Sequence, residues 1–214
     1  MTETTELRRV IVVDTETTGL DPQSDVPVEV AWEDYATGES GVFVPSHDVE
    51  SVLRTAHPTA LEVNGYRERI APRAQDDGTE VERLHRVLTG ATLVGSAPQL
   101  DVAMLAYLFG SDVHDPRPWH HRVVDLGSYA AGVLGLPLGD VPGLWRCCEL
   151  LGVTELPNHG AAEDVRSTVA CLRALDLLRG RRFDDGGPIH ATLVDGTVLR
   201  DRTAGSLGIA GGRS

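Results

Sequence analysis

The chain has 214 residues, 41% of them hydrophobic, with 32 acidic against 19 basic side chains and a net charge of −13. That length makes one domain of ordinary size with a small remainder, and that charge excludes a protein that coats long stretches of nucleic acid by neutralising phosphates. The longest apolar runs, such as Val10 to Val13, are too short to span a bilayer, and Met1 to Arg9 lacks a secretory pattern, so a cytoplasmic protein without membrane contact is expected.

In chain order, Val10 to Val13 is a β-branched run bounded by a polar leader and by Thr-Thr-Gly, which predicts a buried central strand. Extended stretches at Pro27 to Tyr35 and Gly41 to Pro45, split by the Thr37-Gly38 turn signal, predict an antiparallel meander of three strands. Helical spacing begins at Thr79 to Leu88, followed by a strand at Ala91 to Val94 and a helix from Pro98 to Phe109 that stops at Gly110. A short strand at Arg122 to Asp125 precedes helices at Leu126 to Leu134, Leu144 to Leu151 and Ala162 to Leu178. Strands first, then alternating helix and strand, predict an α/β domain over residues 1–180. Beyond it, His190 to Val194, Asp195-Gly196 and Thr197 to Arg200 read as a β-hairpin, and Ala204 to Ser214 as a flexible tail, giving an appendage over 181–214. Cys147, Cys148 and Cys171 have no CxxC spacing and are expected to be buried structural thiols. All the basic residues are Arg, which together with the abundance of Ala and Gly reads as a compositional bias without functional meaning.

Chemistry-bearing residues gather at the ends of these elements. Asp14 and Glu16 alternate with Val10 and Val12 on one face of the first strand, so two carboxylates project together from its C-terminal end. In isolation an Asp-x-Glu pair is a solvated turn; directly beyond a buried strand it is placed for a ligand or a hard metal ion. Asp101 shares an inward helical stripe with Leu105 and Leu108, although a carboxylate in a first turn is equally explained by the helix dipole. Asp164 heads the stripe of Thr168, Cys171 and Leu175 on the last helix. Four inward acids would repel one another unless a cation joined them, and such a cation would also make the site locally positive toward phosphate. His159, in the Pro157-Asn158-His159-Gly160 loop expected to be mobile, has the imidazole chemistry to take a proton from a water beside that site. His120-His121 is the competing metal candidate and lacks such neighbours.

The combination Asp14-Thr-Glu16-Thr-Thr-Gly-Leu20, Leu93-Val-Gly-Ser-Ala-Pro-Gln-Leu-Asp101 and His159-Gly-Ala-Ala-Glu-Asp164 resembles the DEDDh exonucleases, the group that includes polymerase proofreading subunits and ribonuclease T-like enzymes. The first and third motifs match fully and the second in part, and the resemblance spans roughly residues 8 to 180. It implies a ribonuclease-H-like fold, with a mixed central β-sheet flanked by helices, and 3′→5′ hydrolysis of nucleic-acid ends to 5′-nucleoside monophosphates. It also implies two Mg²⁺ or Mn²⁺ ions about 4 Å apart. Asp14, Glu16 and Asp164 would hold the first ion, Asp14 would bridge to the second, and Asp101 would support the second through water. His159 would be the general base. Thr17, through its backbone, and Leu20 would contact the terminal nucleotide, with Asn64 as a further substrate-contacting residue. Expected partners are single-stranded DNA or RNA 3′ ends, with a polymerase or replication protein as a further candidate; oligomeric state is left open. Where the family pattern has Asn and Phe in its second motif, this chain has Ala97 and Leu100, which leaves the metal ligands intact and alters the grip on the nucleotide. Two other readings stand beside this one: a non-catalytic binding module on the same fold, and an exoribonuclease.

Overall fold

The computed structural model describes residues 7–110, 117–184, 191–194 and 197–200. Five strands make one sheet in the order β3-β2-β1-β4-β5. They are β1 (Val10–Thr17), β2 (Pro27–Asp34), β3 (Ser40–Phe43), β4 (Thr92–Gly95) and β5 (Val124–Asp125). The first three form the expected antiparallel meander, while β4 runs parallel to β1 and β5 parallel to β4. Parallel neighbours need long crossovers, and helices supply them.

The sheet is covered on both faces, which explains why β1 opens as a continuous apolar run. Val12 points to one side and packs into a core with Leu126, Ala130, Cys148, Val165 and Leu175, drawn from α5 (Leu126–Leu134), α6 (Leu144–Leu151) and α7 (Ala161–Asp184). Ile11 and Val13 point to the other side, against Leu84 and Leu88 of α3 (Thr79–Leu88) and Leu105 of α4 (Gln99–Leu108). All three cysteines are buried thiols, as expected.

Residues 46–78, for which the sequence predicts no element, fold into α1 (Val49–Thr55), α2 (Pro58–Val63) and a π-helical turn at Tyr66–Ile70. Each is too short to establish an apolar period. Local chemistry makes them instead. The Asp48 carboxylate accepts from Ser51 N to cap α1, and Pro58 opens α2. They close over a third, smaller core of Val28, Val44, Val52, Leu61, Tyr66 and Ile70. The last helix continues to Asp184, past the Leu178 end expected from sequence. Strands β6 (Ala191–Val194) and β7 (Thr197–Arg200) pair antiparallel in the register of a hairpin. The Asp195-Gly196 turn and the Ala204 to Ser214 tail lie outside the described residues. Among those residues no helix is long and apolar enough to cross a membrane.

Candidate active site

The site forms where β1 leaves the sheet. Asp14 and Glu16 fall on the α7 side of the strand, and α7 packs along β1 and β2, so Asp164 in its first turn meets them. One carboxylate oxygen from each of Asp14, Glu16 and Asp164 lies within 4.8 Å of the other two. Among the described residues these three make the His, Cys, Asp and Glu grouping with metal-holding geometry. His120 and His121 stack on each other with ring centroids 4.2 Å apart, and His120 Nδ1 accepts from Arg122 N at 3.2 Å.

Asp101 is not one of that mutually close trio, although its charge acts on Asp14. It is buried in the first turn of α4, on the opposite side of the strand, where Thr15 Oγ1 donates to its Oδ1 at 2.7 Å. At Gly95, the end of β4, a Cβ would crowd Pro98 Cβ at 3.0 Å and the Val13 carbonyl at 3.2 Å, and would meet Asp101 Oδ2 at an ordinary 3.4 Å. Both explanations of Asp101 from sequence thus survive: it occupies a first turn and it is held beside the strand that carries Asp14.

Burial acts on all four acids, and repulsion from the other site acids adds to it at Asp14 and Glu16. Burial, followed by the charges of Asp101, Asp164, Glu16 and Glu29, raises the Asp14 carboxyl well above the ordinary carboxylate range. Burial and then Asp164 push Glu16 up to about 8, with Arg69 pulling the other way. Burial pushes Asp101 up to about 6 against the stabilising hydrogen bond from Thr15. Asp164 is likewise raised by burial, offset in part by Asn158 N, which donates to its Oδ1 at 3.1 Å. Carboxylates held close enough to resist ionisation are a donor set for a hard divalent cation, whose charge would relieve all of them together.

Sequence reasoning missed the cation and the fifth acid beside them. Glu29 of β2, 1% exposed, sits opposite Glu16 in the ladder. Arg69 Nη1 donates to its Oε2 at 2.6 Å, Arg73 Nη1 donates to its Oε1, and Ala161 N, the first residue of α7, donates to Oε2 at 3.1 Å. Glu29 is therefore fully satisfied, whereas the trio is not. Its signal was a charge inside an otherwise apolar strand; Arg69 and Arg73 lie in the segment without an apolar period and gave none.

His159 has φ 60°, an uncommon left-handed conformation for a residue with a side chain. The loop expected to be mobile is tied on each side of it, by Asn158 N to Asp164 and by Arg69 Nη2, which donates to the His159 carbonyl at 3.2 Å. Leu20, beyond the end of β1, is 84% exposed. Thr17 is buried, at a shift in the β1–β2 register between Glu16 and Thr17. Asn64 is 3% exposed; its Nδ2 donates to the Thr17 carbonyl at 3.0 Å, and its Oδ1 has no partner among the described residues.

The family model RNase_T, described as "Exonuclease", matches residues 11–172. No curated protein matches the sequence significantly. Among solved structures, Exonuclease I without ligand is 20% identical with a TM-score of 0.60, over 84% of this chain and 44% of that one. E. coli Exonuclease I in complex with a dT13 oligonucleotide is 22% identical with a TM-score of 0.62, over 83% and 43%. The same protein in complex with a dA16 oligonucleotide is 23% identical with a TM-score of 0.59, over 83% and 42%. The fold is the ribonuclease-H-like fold of these enzymes, and the match takes in less than half the length of each of those chains.

Proposed function

The chain belongs to the exonuclease family, and from that premise we propose that it is a metal-dependent 3′→5′ exonuclease of the DEDDh branch that releases 5′-nucleoside monophosphates from 3′ ends. The observation that carries this reading is the convergence of Asp14, Glu16 and Asp164 within 4.8 Å at the open end of β1, where the nearby Arg69 guanidinium is paired with Glu29.

In this reading Asp14, Glu16 and Asp164 hold Mg²⁺ or Mn²⁺, and Asp101, steadied by Thr15, supports a second ion next to Asp14. Bound divalent ions supply Lewis-acid polarisation of the phosphodiester and a water that ionises near neutral pH. The chain's own residues do the rest. His159 takes the proton of the attacking water on an imidazole nitrogen. The Thr17 backbone and the exposed Leu20 side chain meet the terminal nucleotide, and Asn64 keeps the Thr17 peptide in place for that contact.

Single-stranded DNA is the first substrate to try, since the similar Exonuclease I structures hold dA16 and dT13. RNA 3′ ends are the second, because the 2′-hydroxyl is read by local contacts. The test is degradation of 3′- and 5′-labelled DNA and RNA oligonucleotides with and without Mg²⁺ or Mn²⁺. Loss of 3′ label as mononucleotide, dependent on the ion, is expected; stepwise loss from the 5′ end, or metal-independent cleavage, would overturn the proposal.

A further inference from the structure

A left-handed conformation at a residue with a side chain persists only where its surroundings enforce it. At His159 the flanking peptides are held by Asp164, through Asn158 N and the Gly160 carbonyl, and the His159 carbonyl itself is held by one side chain. Arg69 Nη2 donates to the His159 carbonyl at 3.2 Å, and the same nitrogen donates to the Asn64 carbonyl at 2.7 Å, joined there by Arg69 Nε at 3.0 Å. Its other terminal nitrogen, Nη1, is fixed by Glu29 Oε2 at 2.6 Å, the oxygen that also receives Ala161 N. Asn64 in turn holds the Thr17 carbonyl. One guanidinium thus holds the loop bearing His159 directly and links it, through Glu29 and Asn64, to the start of α7 just ahead of Asp164 and to the end of β1.

We propose that Arg69 is a positioning residue for His159: seated on the buried carboxylate of Glu29, it holds the His159 peptide so that the imidazole faces the Asp14, Glu16 and Asp164 cluster. The proposal rests on the reading of His159 as the proton acceptor. Glu29 carries no ligand duty here; its lone pairs are taken by two guanidiniums and a helix amide. A planar fork with separate donors is required, because a lysine ammonium has one point of charge and cannot span the Glu29 carboxylate and two carbonyls together. Arg69 reaches the proposed nucleotide contacts only indirectly, through the Asn64 carbonyl, which a lysine at this position can still meet, so Arg69→Lys is expected to slow the chemical step more than it weakens substrate affinity.

The experiment is a double-mutant cycle on the full chain with Arg69→Lys and His159→Ala, read as kcat and KM on a short single-stranded oligonucleotide, with amide hydrogen exchange measured on all four proteins. Arg69→Lys lowers kcat roughly 10- to 100-fold with KM within about twofold, the size of effect that a misplaced catalytic group gives. In the His159→Ala background the same substitution lowers kcat no further, and exchange of the amides of residues 159–161 is faster in Arg69→Lys than in wild type. Arg69→Gln, which keeps a planar donor for one carbonyl, serves if the lysine variant does not fold and loses protection at the same amides. An equal loss of kcat in both backgrounds, a rise in KM with kcat unchanged, or unchanged exchange would overturn the proposal. If the wild-type protein cleaves nothing, the exonuclease reading fails, while the exchange comparison still decides whether Arg69 holds the loop.

Discussion

Glu16 and Glu29 face each other across the β1–β2 ladder, yet Glu29 is paired with Arg69 and Arg73 while Glu16 keeps its charge problem. The difference separates two uses of a buried carboxylate on one sheet. Glu29 is paired within the fold; in the proposed reading Glu16, Asp14 and Asp164 receive an ion from outside.

The metal-free protein should lose stability as pH rises. Glu16 is pushed up from 4.5 to about 8 and Asp101 from 3.8 to about 6, so between those limits the folded state keeps protons that the unfolded chain has released. Stability is then fully present below the ordinary values and falls by about 1.4 kcal/mol per pH unit per group toward the raised ones. Thermal melts in chelator between pH 4.5 and 8.5 check this: Tm falls across the range, and added Mg²⁺ flattens the fall by binding the folded form. A Tm that climbs with pH in chelator contradicts it.

His159→Ala should separate binding from chemistry. Positioned proton transfer contributes about 10²- to 10⁴-fold, and none of the carboxylates is touched. Single-turnover cleavage should drop by roughly that factor while calorimetric Mn²⁺ affinity stays level. A variant that cleaves normally, or fails only because it no longer binds Mn²⁺, removes the histidine from this role.

Ala97 carries φ 56° at the edge of the site, with its N–H donated to Asp125 Oδ1 at 3.0 Å. Left-handed backbone costs an alanine roughly 1–2 kcal/mol, and Asn tolerates it better. Ala97→Asn, which restores the residue of the family pattern, is expected to raise stability by up to about 1 kcal/mol and to lower KM for the oligonucleotide. A lower Tm together with an unchanged KM would show that the site is not built for an amide there.

Deleting residues 185–214 should leave cleavage of short single strands at the wild-type rate, because every proposed site residue precedes them. A shortened protein with a native melting transition and no activity would place the functional boundary elsewhere.

Much of this was legible because it is periodic or local. The alternation along β1 put Asp14 and Glu16 on one side before any coordinates, and the helical stripe behind Asp164 gave its direction. The helix at Thr79 to Leu88 follows from apolar spacing, and the structure places it and the helix expected at Leu126 to Leu134 at those bounds. What could not be read is what joins distant segments. Glu29 and Arg69 are 40 residues apart, and Thr15 and Asp101 are 86 apart. The helices that deliver Asn64 and Arg69 are too short to leave a period, so the guanidinium beside Glu16 was invisible, and a loop expected to move turned out to be tied by it.

The most direct test of the carboxylate trio as a divalent-cation site is Asp14→Asn, with Mn²⁺ binding by calorimetry and cleavage of a 3′-labelled oligonucleotide measured on one preparation. The variant should fold, bind Mn²⁺ poorly and leave the oligonucleotide intact where the wild type degrades it. Turnover near the wild-type rate by the Asp14→Asn protein would contradict the account.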